Sequence, residues 1–270
     1  SNSTGTANAA FGSKSLYSNQ SGIANTAAGF EALNENISGN NNTANGNRSL
    51  YNNTAGNQNT AMGSQSLLSN ISGIRNTGIG SLALSASTGD NNVALGYQAG
   101  NTNTTGNNNT LIGYGADVST GNQSNSSALG LNATVNASNK IRLGNSAVTV
   151  IEGQPASYTS TSDGRFKTNV QEDVKGLEFI MKLRPVTYNF DRVSYSKFIG
   201  EKQTDDYVQT LKGLSNTRQT GFIAQEMEKA VSASGYKGFD AVSVPAGDHQ
   251  TYGIAYATLV VPLVKAVQEQ

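Results

Sequence analysis

Ser162 and Lys167 are the residues of this chain whose types and spacing suggest chemistry. They lie five positions apart in the hexapeptide Ser-Asp-Gly-Arg-Phe-Lys. A serine hydroxyl is a weak nucleophile until a base removes its proton, and a lysine amine held neutral by burial or by nearby cations can act as that base. A bend or a first helical turn across the hexapeptide brings the amine to the hydroxyl. The pair is therefore a candidate Ser–Lys dyad for self-cleavage.

The same residues also have an ordinary structural interpretation. Ser162 and Asp163 are both favoured at the N-cap of a helix, and Lys167 is then a solvated cation. An isolated serine and lysine at this spacing favour that interpretation. The choice between a capping role and a catalytic role for Ser162 and Lys167 therefore depends on the surrounding sequence.

Composition excludes several classes of function. The 270 residues carry 18 basic and 18 acidic side chains, so no basic surface for nucleic acid or for a membrane is expected. There is no cysteine and a single histidine, His249, which we expect in a surface loop rather than in catalysis. We therefore expect no metal site and no cofactor. The apolar run 259–267 contains Pro262 and Lys265 and is too short to insert into a membrane.

The first half of the chain is an array of repeats of about 17 residues with little charge. Only nine of the 36 charged residues lie in residues 1–150. An asparagine generally stands four residues before each glycine of the series. The aligned glycines are Gly12, Gly29, Gly46, Gly63, Gly80, Gly96, Gly113 and Gly130. Such a constant phase indicates a solenoid rather than a disordered linker.

A repeat of this length suits two short strands and two tight turns, which make one rung of a parallel β-solenoid. Alternating Ala, Leu and Ile residues face a narrow core, and glycine permits positive φ at the turns. Asparagines stacked at equivalent positions predict ladders of side-chain amides. A leucine series either fills the interior or forms the seam of an oligomer. Its members are Leu16, Leu33, Leu50 and Leu67.

The repeats resemble the heads of trimeric autotransporter adhesins, whose units carry a similar Asn-x-Ala-x-Gly signature. The resemblance covers about residues 5–135. It implies that each chain forms a parallel β-roll and that three rolls pack into a trimer.

The remainder of the chain has mixed helix and strand patterns. Two strands are predicted at 139–144 and 147–151, followed by an exposed extended segment up to Ser162. Helix is predicted on 174–181 before Pro185, strand on 186–190, and a loop excursion on 191–218. Residues 220–224 then lead into a predicted helix at 225–232, and a strand at 252–256 and a helix within 257–270 complete the prediction.

Four motifs in this part resemble the chaperone-of-endosialidase domain, an auto-processing intramolecular chaperone. They are Ser162-Asp-x-Arg-x-Lys167, Leu183-x-Pro-Val-x-Tyr188, Gly221-Phe-Ile-Ala-Gln-Glu226, and Tyr256-x-x-Leu-Val260 before Leu263-Val-Lys-Ala-Val267. The resemblance implies catalysis by Ser162 and Lys167 and cleavage of the Thr161–Ser162 bond. Gln225 and Glu226 either cap and pack the following helix or support the site or a subunit interface.

We therefore expect a mainly β, parallel β-roll solenoid (residues 1–137), a β neck or linker (138–161), and an α+β, helix-rich chaperone and auto-peptidase domain (162–270). The function expected is trimerisation and registration of a tail fibre or cell-surface adhesin, followed by one self-cleavage. The alternative is a homotrimeric fibre that stays uncleaved and binds a host receptor or glycan. A processing module of a membrane-linked transcription factor is disfavoured, because no DNA-binding stretch is found. The expected location is extracellular, on a virion or a bacterial surface.

Overall fold

The computed structural model describes residues 4–152 and 160–270. The chain divides into two compact units. The first contains residues 1–147 together with 192–211, and the second contains residues 148–191 together with 212–270. The segment 192–211 thus belongs with the N-terminal repeats, although it lies far downstream of them in sequence.

The repeats form a parallel β-solenoid with one three-residue strand in each rung. Each strand pairs with the next at equivalent positions, as Thr26 does with Thr43, and nine strands make one continuous sheet. These strands are β1 (Ala9–Phe11), β2 (Thr26–Ala28), β3 (Thr43–Asn45), β4 (Thr60–Met62), β5 (Thr77–Ile79), β6 (Val93–Leu95), β7 (Thr110–Ile112), β9 (Ser127–Leu129) and β11 (Ile141–Leu143). The predicted parallel β-solenoid is confirmed.

The opposite side of each rung is mostly turn rather than strand. Only β8 (Asp117–Val118) and β10 (Thr134–Val135) pair there within the described residues, so the expectation of two strands in every rung is wrong. The leucines on this side adopt left-handed backbone, with φ of 50° at both Leu33 and Leu50, which prevents an extended strand. Backbone hydrogen bonds still link the rungs, since Leu33 N donates to the Ser49 carbonyl at 3.0 Å.

The leucine series fills the interior of the solenoid. Leu33, Leu50 and Leu67 are fully buried within the single chain, opposite the small central residues of the strands, such as Ala44. The alternative of a leucine seam between subunits is therefore wrong. The physical reason is that the left-handed turn directs each leucine inward, where the alanines of the sheet leave room for it.

The predicted asparagine ladder is confirmed and runs through the buried interior. The Asn42 side-chain amide donates to Asn25 Oδ1 at 3.1 Å and to the Gly56 carbonyl at 2.8 Å. Its own oxygen accepts from the backbone N–H and the side-chain amide of Asn59, at 3.0 and 3.1 Å. A second ladder joins Asn53 to the neighbouring rungs. The buried amides of Asn42 and Asn53 are thus satisfied by the rungs on either side.

The aligned glycines are required because the rungs touch backbone to backbone at these turns. Gly46 has φ 143°, and a Cβ added to it would lie 2.5 Å from the carbonyl oxygen of Gly63 in the next rung. The predicted positive φ is confirmed at these glycines. Non-glycine residues also take left-handed backbone in each rung, which the sequence did not indicate.

The segment after residue 137 continues the solenoid and then leaves it. Strand β11 pairs with β9 and so extends the sheet to Leu143. The strand predicted at 147–151 is wrong: these residues form no strand, and Val150 and Ile151 are exposed. Their β-branched pattern favours extended backbone, but within the single chain no neighbouring strand pairs with them among the described residues.

Residues 191–218, expected to be a loop, contain two helices. They are α2 (Arg192–Phe198) and α3 (Asp205–Ser215). Asp205 and Asp206 in the first turn of α3 and Lys212 in its last turn complement the helix dipole. The largely polar composition of this segment predicts a loop. Leu211 of α3 and Ile199, which follows α2, are nevertheless fully buried, and hydrogen bonds and an ion pair add to this packing.

The second unit has a small core under helices and two short antiparallel sheets. Phe179, Met227 and Leu259 are buried at its centre. Its elements are α1 (Leu177–Ile180), β12 (Val186–Asn189) paired with β13 (Arg218–Gly221), α4 (Ala224–Ser234), β14 (Val242–Ser243) paired with β15 (Gly253–Ile254), and α5 (Val260–Gln268). The helices predicted before Pro185, after residue 224 and at the C-terminus are confirmed, as is the strand at 186–190.

Membrane crossing finds no support in the helices. Within the described ranges, none is both long enough and apolar enough to span a bilayer.

Replacing Asn59 by alanine tests the ladder. Its side chain is buried and accepts from Asn76 N at 2.9 Å while donating to Asn42 Oδ1 and to the Gly73 carbonyl. Asn59→Ala leaves these groups without partners and should lower the free energy of unfolding by roughly 2–4 kcal/mol. Asn45→Ala, which changes an exposed asparagine of β3, is the matched control and should change it by less than about 0.5 kcal/mol. Urea denaturation of both variants measures the difference.

Asp117 gives the solenoid a predicted pH dependence. Burial raises the pKa of this carboxyl to about 6, although backbone N–H groups of Thr102 and Val118 donate to it. The folded chain therefore binds the proton more tightly than the unfolded chain, and the free energy of unfolding should fall as pH rises from about 4 to about 6. Asp117→Asn should remove this fall and stabilise the protein at pH 7 by roughly 1–3 kcal/mol.

Denaturation at several pH values provides the measurement. The exposed Asp248→Asn variant is the control and should follow the wild-type profile. A wild-type profile that Asp117→Asn leaves unchanged would contradict the assignment.

Candidate autoproteolytic site

The hexapeptide is a single 3-10 turn held by its own capping contacts. The turn spans Gly164–Phe166, with Asp163 as its N-cap and Lys167 as its C-cap. The Asp163 carboxylate accepts from the Arg165 backbone N–H at 2.9 Å. The Lys167 backbone N–H donates to the Gly164 carbonyl at 3.2 Å. The capping interpretation therefore holds for Asp163.

Ser162 and Lys167 are brought together by this turn. The Lys167 ammonium nitrogen Nζ lies 2.7 Å from Ser162 Oγ, which is hydrogen-bonding distance. Both side chains are exposed in the single chain. Capping and the contact with lysine thus involve different residues. Asp163 caps the turn, while Ser162 contacts Lys167.

An ion pair lies beside Ser162 and Lys167. The Arg165 guanidinium donates to the Asp163 carboxylate through Nε at 3.0 Å and Nη2 at 2.7 Å. This pairing holds the pKa of Asp163 below its usual range and raises the pKa of Arg165. Arg165 also lies 5.7 Å from the centre of the Phe166 ring. A carboxylate paired in this way is less available to Lys167, which leaves the lysine amine directed at the serine.

The other three sequence motifs meet around Gly221, at the end of β13. The Tyr256 hydroxyl accepts a hydrogen bond from the Phe222 backbone N–H at 3.1 Å, and the Phe222 and Tyr256 rings stack with centres 6.1 Å apart. Tyr188 on β12 hydrogen-bonds the same tyrosine, and burial together with that contact raises the Tyr188 pKa. The three motifs are therefore joined through Tyr188 and Tyr256 at one end of the β12–β13 sheet.

Glu226 is tied to another motif rather than to the dyad. Arg184 donates to both of its carboxylate oxygens, through Nε at 3.0 Å and through Nη2, and this pairing lowers the Glu226 pKa. The partner that the structure gives Glu226 is thus Arg184, not Ser162 or Lys167. Gln225 is exposed at the start of α4. The ion pair with Arg184 holds Glu226 at a partly exposed position, and a supporting role for either residue stays a prediction.

His249 lies in an exposed turn with left-handed backbone, φ 63°, as expected for a surface loop residue. Across residues 4–152 and 160–270, no cluster of His, Cys, Asp and Glu side chains has the arrangement of a metal site.

The fold and the hexapeptide together define a class of chain: a parallel β-solenoid followed by a helix-rich segment that begins at a Ser–Lys pair. Residues 162–236 match the family model described as the chaperone of endosialidase. The match begins at Ser162 and includes Lys167, Tyr188 and Glu226, so the C-terminal resemblance is confirmed. The Tyr256 motif lies beyond the matched residues. No curated protein and no solved structure matches the chain.

Two contacts that organise this unit involve residues outside the specified positions of the four motifs. Arg184 occupies an unspecified position of its motif, yet it anchors Glu226. Glu269, near the end of α5, accepts from the Leu177 backbone N–H at 2.7 Å and so caps α1. The glycine immediately before α1 is the one sequence feature that indicates this contact, because a Cβ on Gly176 would lie 2.4 Å from the Glu269 carboxylate.

Gly221→Ala tests the convergence of the motifs. A Cβ there would lie 2.3 Å from the Tyr256 hydroxyl, so the tyrosine must move and lose its bond to Phe222 N. We expect a loss of roughly 1–2 kcal/mol in the free energy of unfolding. Gly213→Ala is the matched control, because its Cβ meets nothing within 4 Å and the site is helical. It should stabilise the protein by roughly 0.5–1 kcal/mol. Thermal denaturation compares the two variants.

Proposed function

We propose that the C-terminal segment is an intramolecular chaperone that trimerises the chain, registers three solenoids and then cuts itself off once. The observation that carries the proposal is the 2.7 Å contact between Lys167 Nζ and Ser162 Oγ, at the first residues that match the family model. The same proposal places the protein outside the cell, on a virion tail fibre or a bacterial surface.

The chemistry proposed is an internal acyl transfer followed by hydrolysis. Ser162 Oγ attacks the carbonyl carbon of Thr161 while Lys167 takes the hydroxyl proton. The C–N bond breaks, the proton passes to the departing Ser162 amine, and an ester joins the Thr161 carbonyl to Ser162 Oγ. Water then hydrolyses the ester, leaving a Thr161 carboxylate and a free Ser162 hydroxyl. Each of these steps uses only the chain and water.

The proposed chemistry requires Ser162 and Lys167 to be buried, and the single chain does not bury them. A lysine takes up a proton only in its neutral form, which desolvation favours. Ser162 and Lys167 are exposed in the isolated chain. In a trimer, neighbouring subunits would cover the pair and exclude water, so assembly would switch on the cut. Cleavage would then follow registration rather than precede it.

Exposed apolar residues on α5 support assembly with further copies. One face of this helix leaves five aliphatic side chains in contact with water, while Pro262 and Ala266 on the other face are buried. The exposed residues are Val260, Val261, Leu263, Val264 and Val267. A contiguous aliphatic surface of this kind is typical of a protein–protein contact.

A registering device is physically reasonable for this solenoid. Its sheet pairs residues 17 positions apart, as between Thr26 and Thr43, and a slip by one rung would preserve most of the pattern. Parallel strands with non-local pairing fold slowly and expose strand edges meanwhile. A domain that gathers three chains at one end would set a common starting point for all rungs.

Intact mass and size in solution test the proposal together. Wild-type protein should be trimeric and should yield two fragments that meet at Thr161–Ser162. Ser162→Ala and Lys167→Ala should remain intact while still forming trimers, because they remove the nucleophile or the base without altering packing. Ser232→Ala and Lys212→Ala, which change exposed residues elsewhere in the segment, should cleave as the wild type does.

The alternative function is an uncleaved trimeric fibre that binds a host surface or glycan. The exposure of the dyad and the capping role of Asp163 favour it. A wild-type trimer that stays at full mass, and whose melting temperature rises with a glycan ligand, would replace the proteolytic proposal with this one.

A further inference from the structure

Residues 192–211, which form α2 and the greater part of α3, cluster with the solenoid. In sequence they follow Ser162, so the proposed cut would assign them to the C-terminal fragment. The contacts between this segment and the last rungs of the solenoid would therefore join the two fragments that the proposed cut creates. They centre on Glu201, whose side chain is completely buried.

The Glu201 carboxylate is held by donors from both segments. Oε1 accepts from Arg142 Nη2 and from the Ser146 backbone N–H, each at 3.0 Å. Oε2 accepts from the Tyr207 hydroxyl at 2.8 Å. Arg142 lies on β11 and donates in turn to the Tyr195 hydroxyl at 3.0 Å. We call these five residues the Arg142–Glu201 cluster.

Further contacts surround the cluster. Arg192 donates to the Ser146 carbonyl at 2.6 Å, and Lys202 lies 3.5 Å from Gln98 Oε1, several rungs back along the solenoid. Burial raises the pKa of Tyr207 to about 12, so its hydroxyl remains a donor to Glu201 across the physiological pH range. The contacts thus extend over more than one rung.

A buried ion pair of this kind matters most when one partner is removed. Its charges are desolvated, and a lone buried charge is strongly unfavourable. Here the carboxylate is also satisfied by an amide and a hydroxyl, which is the arrangement in which a buried pair is tolerated. Cutting the bond between Thr161 and Ser162 removes none of these contacts.

We propose that residues 192–211 are a docking element that keeps the C-terminal fragment bound to the solenoid after the cut. In this proposal the Arg142–Glu201 cluster supplies the main contact. The proposal rests on the cleavage proposed above. Cleavage and release are then separate events: the first breaks one peptide bond, and the second must withdraw α2 and α3 from the last rungs. The partner recognised is the chain's own solenoid, at β11 and the residues that follow it.

Size-exclusion chromatography of the cut protein under non-denaturing conditions tests the docking. Wild-type fragments should elute together. Glu201→Gln removes the charge opposite Arg142 and should weaken their association by roughly 100-fold, so that the fragments separate on dilution. Tyr207→Phe removes a single hydroxyl and should give an intermediate loss. Glu178→Gln breaks an exposed ion pair with Lys182 and is the matched control, expected to elute as the wild type does.

The cut can be supplied independently of self-cleavage. A site-specific protease sequence placed before residue 162 in the Ser162→Ala variant allows the same measurement if the wild type does not cleave, so failure of the dyad and failure of the docking are distinguishable. Circular dichroism of each variant before cutting checks that it folds. Wild-type fragments that separate at once would contradict the docking proposal. Glu201→Gln fragments that stay together as firmly as the wild type would show that the Arg142–Glu201 cluster does not hold them together.

Discussion

The stacked asparagine amides are the interaction on which the solenoid depends. Each rung is too thin to bury much apolar surface, since its core is little more than one leucine and small residues around it. A buried amide such as Asn42 has no water to bond with, so it is satisfied only when the rungs on both sides present their oxygens and N–H groups at the same positions. Register is therefore enforced by the penalty for leaving these groups unpaired, and the glycines permit the close backbone approach that the ladder requires.

The stacking of rungs also determines which features of the solenoid can be predicted from its sequence. A repeat with constant phase predicts stacked rungs, because identical residues 17 positions apart must occupy identical places. The positions of Asn42 and Gly46 within a rung therefore follow from the repeat alone. The leucines are different: an inward and an outward leucine give the same spacing, and the deciding factor is the left-handed backbone at residues such as Leu50. That conformation is uncommon for leucine and has no signature in composition.

The candidate site shows a similar division. The local spacing of Ser162 and Lys167 predicts that they can meet, and one 3-10 turn is sufficient to bring them together. Long-range contacts were beyond the sequence, because Arg142–Glu201 joins residues 59 positions apart through burial rather than through a motif. The helices on either side of Glu201 differ from the predicted loop for a related reason: the segment is largely polar, and part of what stabilises the helices lies in the solenoid, as Arg142 does.

These two kinds of contact have different consequences for assembly. The contact between Ser162 and Lys167 is local and exposed, so any chemistry at this pair depends on what covers it. The Arg142–Glu201 cluster is buried within one chain and depends on a completed β11, because Arg142 reaches Glu201 only from that strand. A solenoid that had slipped by one rung would offer a different residue at this position and leave Glu201 buried without its cation. Docking of residues 192–211 would therefore depend on correct register at the last rung, within the same chain.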